Sequence, residues 1–255
     1  MYQKIIGLLL AVGALLGAAR PARAMGLGMH VLYPQEMAAV ADQFSPYRED
    51  DQPLYVTIPF TLADAGRLGD WQSAFNVARE KNIVPLVRLA TEYDSENDYW
   101  RVPTRKDVVD LAKALNRLDW PQEQRHVILF NEPNHAKEWG GRLDPHEFAR
   151  VTDFALDWFG TENARYALLP AALDLAAPDS RKTKEAFGYW REVLGSKPEI
   201  LDKIVAWNSH SYPNPGFASA PQRSGKNSLR GFENELVFLN RYTDRDLEVY
   251  ITETG

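Results

Sequence analysis

Short apolar runs recur along this chain at intervals of about 30–40 residues, the length of one strand–helix unit. They fall at 26–33 (GLGMHVLY), 54–60 (LYVTIPF), 83–90 (IVPLVRLA), 126–132 (HVILFNE), 164–171 (ARYALLPA), 204–212 (IVAWNSHSY) and 247–253 (LEVYITE). Several are apolar at consecutive positions rather than alternate ones. A strand of that kind needs cover on both faces, which parallel strands obtain from helical crossovers. The segments between supply helices. Trp71, Phe75 and Val77 mark one face of a helix over 70–81, and Val108, Leu111, Ala112 and Leu115 repeat at helical spacing over 105–118. A third helix, over 144–159, opens on Asp144 followed by Pro145, a good N-cap and a proline suited to the first turn.

Seven such units approach a (β/α)8 TIM barrel, an α/β fold that typically takes about 250 residues; this chain has 255. A doubly wound open sheet is the alternative, but its first strand usually runs into a glycine-rich phosphate loop, and HVLYPQEM contains no glycine. Closing a barrel takes an eighth strand, since an open edge leaves backbone groups unpaired. The seventh run ends two residues before Gly255, so the expectation is a barrel truncated after its seventh strand, unless one strand has been split or missed.

The N-terminus reads separately. Lys4 precedes IIGLLLAVGALLGAA and then RPARA, a charged start, a short apolar region and an Ala-x-Ala end at Ala22–Ala24. The expected organisation is a signal peptide over 1–24, cleaved after Ala24, and a single catalytic domain over 25–255, secreted or periplasmic. An uncleaved anchor is the rival, although the run is shorter than the ~20 residues of a spanning helix. The absence of cysteine fits an exported protein without disulfides. A net charge of −6 with no offsetting basic patch argues against nucleic acid and anionic membrane surfaces as partners.

The run at 126–132 ends on Asn131 and Glu132, then Pro133. A carboxylate closing a buried strand is costly unless something compensates it. Read alone, Glu132 also fits a loop acid beside a turn proline, the lesser of its two readings. A second glutamate, Glu253, also closes an apolar strand, and in a barrel both strand ends open on the active-site face. Two carboxylates across a cleft are what glycosidic cleavage uses, one protonated for the leaving oxygen and one charged for the anomeric carbon. Other residues keep two readings: His30 is a barrel-interior histidine or a site residue, and Trp139 and His135 flank a subsite or belong to an ordinary loop. The acidic residues Glu92, Asp94, Glu96 and Asp98 read as a solvated loop at the mouth.

Asn131-Glu132-Pro133, His210-Ser211-Tyr212 and Thr252-Glu253, each at a strand end, resemble glycoside hydrolase clan A, the retaining (β/α)8-barrel glycosidases that include cellulase-like and xylosidase-like families. The resemblance implies an acid/base role for Glu132 and a nucleophile role for Glu253. It implies that Asn131 binds the substrate 2-hydroxyl, that His210 and Tyr212 line the site, and that Arg88 holds the nucleophile ionised. His30 and Trp139 join the substrate-binding set. The implied protein is a monomeric retaining O-glycosidase acting without cofactor or metal on a β-linked polysaccharide or oligosaccharide. Two other readings stay open: a non-catalytic carbohydrate-binding barrel, and a metal-dependent barrel hydrolase or isomerase using His30, His210 and the glutamates. Dispersed histidines with no His-x-His pair weigh against the metal.

Overall fold

A computed structural model describes residues 26–49 and 52–254. The segment expected to be an export signal, residues 1–24, lies outside the described residues. Five strands, β1 (Leu27–His30), β2 (Leu54–Phe60), β3 (Ile83–Leu89), β4 (Arg125–Leu129) and β5 (Tyr166–Pro170), form one sheet in sequence order. Every pairing in it is parallel. Two more, β6 (Ala206–His210) and β7 (Glu248–Glu253), pair parallel with each other. The Val205 N–H donates to the Leu168 carbonyl at 3.0 Å, and Asp174 forms an isolated parallel bridge with His210, so β6 continues the curve beyond β5. An order without reversal excludes the doubly wound alternative, which turns back on itself at its ligand crevice.

Helices α1 (Met37–Phe44), α2 (Leu68–Glu80), α3 (Arg105–Asn116), α4 (Pro145–Glu162), α5 (Ala186–Ser196), α6 (Ile200–Lys203) and α7 (Gly231–Leu239) alternate with the strands. The Asp144 side chain accepts from the Glu147 N–H at 2.8 Å and caps α4, with Pro145 in its first turn. On α2 the buried residues are Trp71, Ala74, Phe75 and Ala78; Val77 lies off that stripe, as 3.6 residues per turn require. Phe60 of β2, Trp71, Phe75 and Trp120 follow one another edge to face or tilted, at centroid spacings of 4.8, 6.0 and 4.8 Å, and tie the sheet to α2. The polar stretch 90–100 holds a small antiparallel hairpin, Tyr93–Asp94 with Tyr99–Trp100, outside the barrel sheet.

The opposite sheet face makes a second, smaller core. Val84, Leu86, Ile128, Leu169 and Ala206 meet there, with Tyr55 and Tyr250 packed against them. This is the barrel interior, and the next residues along each strand on that face reach the mouth. β1 and β7 are the edges of their sheets, and a cavity of about 1100 Å³ lies between them, lined from His30, Met29 and Gly28 on one side to Leu247–Glu253 on the other. No helix among the described residues is long and apolar enough to cross a membrane.

Candidate active site

Strand parity decides which side chains converge. Val84 and Leu86 face the barrel interior, so Arg88, two residues on, faces the mouth above them. The same argument from Ala206 brings His210 to that level. Glu253 arrives by a register shift: Ser209 stands opposite Ile251, whereas His210 stands opposite Glu253 rather than Thr252. Such a one-residue irregularity re-aims a side chain that strict alternation would turn away.

β4 stops at Leu129, earlier than the apolar run suggests. Phe130 and Glu132 both have positive φ, +73° and +29°, in a region that non-glycine residues rarely adopt. Strained backbone of this kind costs on the order of 1–3 kcal/mol per residue and persists only where surrounding structure enforces it. Fully buried Asn134 supplies part of that enforcement, its amide donating to the Asp174 and Lys184 carbonyls at 3.0 Å each.

Glu253 is the most heavily partnered group of the cluster. Arg88 Nη1 donates to its Oε1, Tyr212 Oη donates to its Oε2 at 2.7 Å, and His30 Nδ1 lies 3.4 Å from Oε1. Arg88 Nη2 reaches His30 Nε2 at 3.3 Å, and because a guanidinium only donates, that nitrogen accepts and Nδ1 carries the proton facing Glu253. Burial raises the Glu253 carboxyl, but the His30 hydrogen bond, the charges at His210 and Arg88, and the Tyr212 hydroxyl together outweigh it and hold it well below the ordinary range. The Tyr212 hydroxyl moves the other way, pushed up by burial and by its bond to Glu253.

Glu132 has different company. Its Oε1 lies 2.7 Å from His210 Nδ1, which is itself 3.7 Å from Glu253 Oε2. One oxygen of each glutamate and this nitrogen lie within 4.8 Å of one another, the one group among the described residues with the spacing to hold a metal ion. The Arg88 guanidinium against Glu253 already supplies the positive charge that a cation would bring, and would repel one.

Glu132, Glu253, Asn131, Arg88, His30, His210 and Tyr212 are thus brought together. Trp139 is not. It has no exposed surface, packs edge-on to Phe130 and Phe148, and donates its indole N–H to Glu147 at 3.2 Å. The expectation that it binds substrate is corrected on that ground. The glycines after it explain the fold-back: Gly140 has φ +62°, and a Cβ there would meet Val102 Cγ2 at 2.7 Å. The same turn brings in Glu138, which sequence reasoning missed. Its Oε2 accepts from Asn131 Nδ2 at 3.3 Å, and burial, with Glu132 nearby, raises its carboxyl against the lowering effect of that bond. Its place in the loop after Asn131-Glu132-Pro133 was the available signal. His135 is likewise fixed, 2.9 Å from Asp174, whose hydrogen bond raises it.

No family model matches the sequence, and no curated protein matches it either. Solved structures do match in fold. One described as a glycoside hydrolase aligns over 90% of this chain and 77% of its own, at 11% identity and a TM-score of 0.54. A Thermomonospora fusca β-mannanase, solved with mannohexaose, aligns over 91% of this chain and 70% of its own, at 14% identity and a TM-score of 0.51. A family 51 α-L-arabinofuranosidase from Bifidobacterium longum aligns over 72% of this chain, which spans only 38% of that enzyme, at 11% identity and a TM-score of 0.43. The chain therefore has the TIM-barrel fold in which these glycoside hydrolases are built, with seven barrel strands among its described residues.

Proposed function

We propose that the protein is an exported, retaining β-glycosidase working by double displacement, with Glu253 as nucleophile and Glu132 as acid/base. The observation that carries this reading is the unequal pair of carboxylates: oxygens within 4.8 Å of each other, one held ionised by Arg88, His30 and Tyr212, the other bound to His210. Retaining glycosidases set their carboxyl groups about 5–5.5 Å apart, whereas inverting ones leave about 6.5–9.5 Å for a water. The neighbours in fold support the substrate class, since one of them, a β-mannanase, was solved with mannohexaose.

In the first step the Glu132 proton passes to the glycosidic oxygen while Glu253 attacks the anomeric carbon. The C–O bond breaks, the aglycone alcohol departs, and a glycosyl ester of Glu253 remains. In the second step Glu132 takes a proton from water, whose oxygen displaces Glu253 and restores both carboxyls. Asn131 binds the 2-hydroxyl, an interaction that strengthens in the transition state. His210 orients Glu132, and Tyr212 and Arg88 stabilise the carboxylate each time it is released.

Rescue by azide tests the roles. Glu253→Ala should abolish turnover, and azide should restore it as a glycosyl azide of inverted configuration. Glu132→Ala should still cleave substrates with very good leaving groups, and azide should then give the azide of retained configuration. Polysaccharide binding by the intact protein with no reducing ends released over long incubation would overturn the reading in favour of a non-catalytic barrel.

A further inference from the structure

Asn131 is held from two sides by groups of opposite hydrogen-bonding character. Arg88 Nη1 donates to its Oδ1 at 2.8 Å, and its Nδ2 donates to Glu138 Oε2 at 3.3 Å. A guanidinium has only donors and an ionised carboxylate only acceptors, so the pair permits one amide orientation and forbids the flipped one. Arg88 cannot do this alone with constancy, because the same Nη1 also serves Glu253. When Glu253 becomes an ester in the reaction proposed above, its charge is lost and the arginine is free to shift. Glu138 touches neither Arg88 nor Glu253 by any hydrogen bond among the described residues, so its hold on the amide does not change with the nucleophile's charge. It sits in a short 3-10 turn, Ala136–Glu138, closed by the buried Trp139 and by the Trp139 N–H to the Ala136 carbonyl at 3.1 Å.

We propose that Glu138 is a positioning residue: it locks the Asn131 amide with one N–H turned to itself and the other offered to the substrate 2-hydroxyl throughout the catalytic cycle. The inference rests on the glycosidase reading and extends it to a carboxylate that neither donates a proton nor attacks the sugar. Glu138 thereby sets how strongly the enzyme discriminates a sugar with a 2-hydroxyl from one without.

The experiment compares kcat/KM for 4-nitrophenyl β-glucoside and β-mannoside with their common 2-deoxy analogue. It uses the full chain as wild type, Asn131→Ala, Glu138→Ala and Glu138→Gln. Wild type should prefer the 2-hydroxy substrates and Asn131→Ala should erase that preference. Glu138→Ala should reduce it by about tenfold or more, the worth of one hydrogen bond to a charged acceptor. Glu138→Gln keeps an acceptor oxygen and should recover most of it. Should Glu138→Ala fold poorly, Glu138→Met, which keeps the stem and removes the acceptor, is read in its place. The proposal is overturned if loss of Glu138 slows 2-hydroxy and 2-deoxy substrates equally, or if Gln behaves as Ala does. If Asn131→Ala leaves the preference intact, or wild type cleaves neither glycoside, the glycosidase assignment of Asn131 falls first and the Glu138 inference with it.

Discussion

Replacing Glu235 by glutamine should stabilise this protein at mildly alkaline pH, although the wild-type side chain makes a good hydrogen bond. Glu235 lies on α7 with 1% of its surface exposed, and its Oε1 accepts from the Trp207 indole N–H at 3.0 Å. Burial pushes its carboxyl from the ordinary 4.5 up to about 7, and the Ser209 hydroxyl and the Trp207 indole offset only part of the rise. At about 1.4 kcal/mol per pH unit, the rise corresponds to about 3 kcal/mol. Its sign follows from proton counting. Between pH 4.5 and about 7 the folded chain keeps a proton that the unfolded chain has released, so stability falls across that window and is level above it. Glutamine has no proton to lose and can still accept from Trp207. With about 1 kcal/mol lost at every pH to an imperfectly matched amide, Glu235→Gln should be less stable than wild type by up to about 1 kcal/mol at pH 4.5 and more stable by about 2 kcal/mol at pH 8. Urea unfolding of both proteins at pH 4.5, 6, 7 and 8, at constant m-value, measures the difference and cancels every other titration. A difference that does not change between pH 4.5 and 8, or a variant less stable at pH 8, would refute the argument.

Other expectations are simpler to read. Arg88→Met removes a charge that keeps Glu253 ionised, and the proposed double displacement needs that ionisation, so the acid limb of the kcat/KM profile should move to higher pH; an unmoved limb with a lower plateau would show that Arg88 acts only through Asn131. Trp139→Ala empties a site with no exposed surface and should cost about 3–5 kcal/mol in unfolding free energy; an unchanged melting temperature with lost polysaccharide affinity would return Trp139 to the binding surface. Material recovered from the medium or periplasm should begin at Met25, and N-terminal sequencing that reads from Met1 would refute cleavage after Ala24.

What was legible in the sequence is what local chemistry decides. Apolar runs such as 54–60 and 83–90 admit few structures other than buried parallel strands, and Asp144-Pro145 marks a helix start wherever it folds, because both effects act within a few residues. The placement of Asn131, Glu132 and Glu253 followed from one further rule, that parallel barrels open their sites at the strand ends. Contacts between distant residues were not legible. Trp139 reads as flanking a subsite when seen beside Glu132, and its packing against Phe130 and against Phe148 from α4 turns it inward. Glu138 looks like any loop acid until the glycine turn at 140–141 folds its segment back on Asn131. Glu235 shares a helix face with Phe238 and Leu239, but only the fold shows what that face packs against, and the one-residue shift that aims Glu253 into the cleft depends on how β7 pairs with β6. Burial, register and charge environment are properties of what lies across the fold, so tertiary structure alone decided which of the carboxylates are exposed to water, which are paired and which face each other.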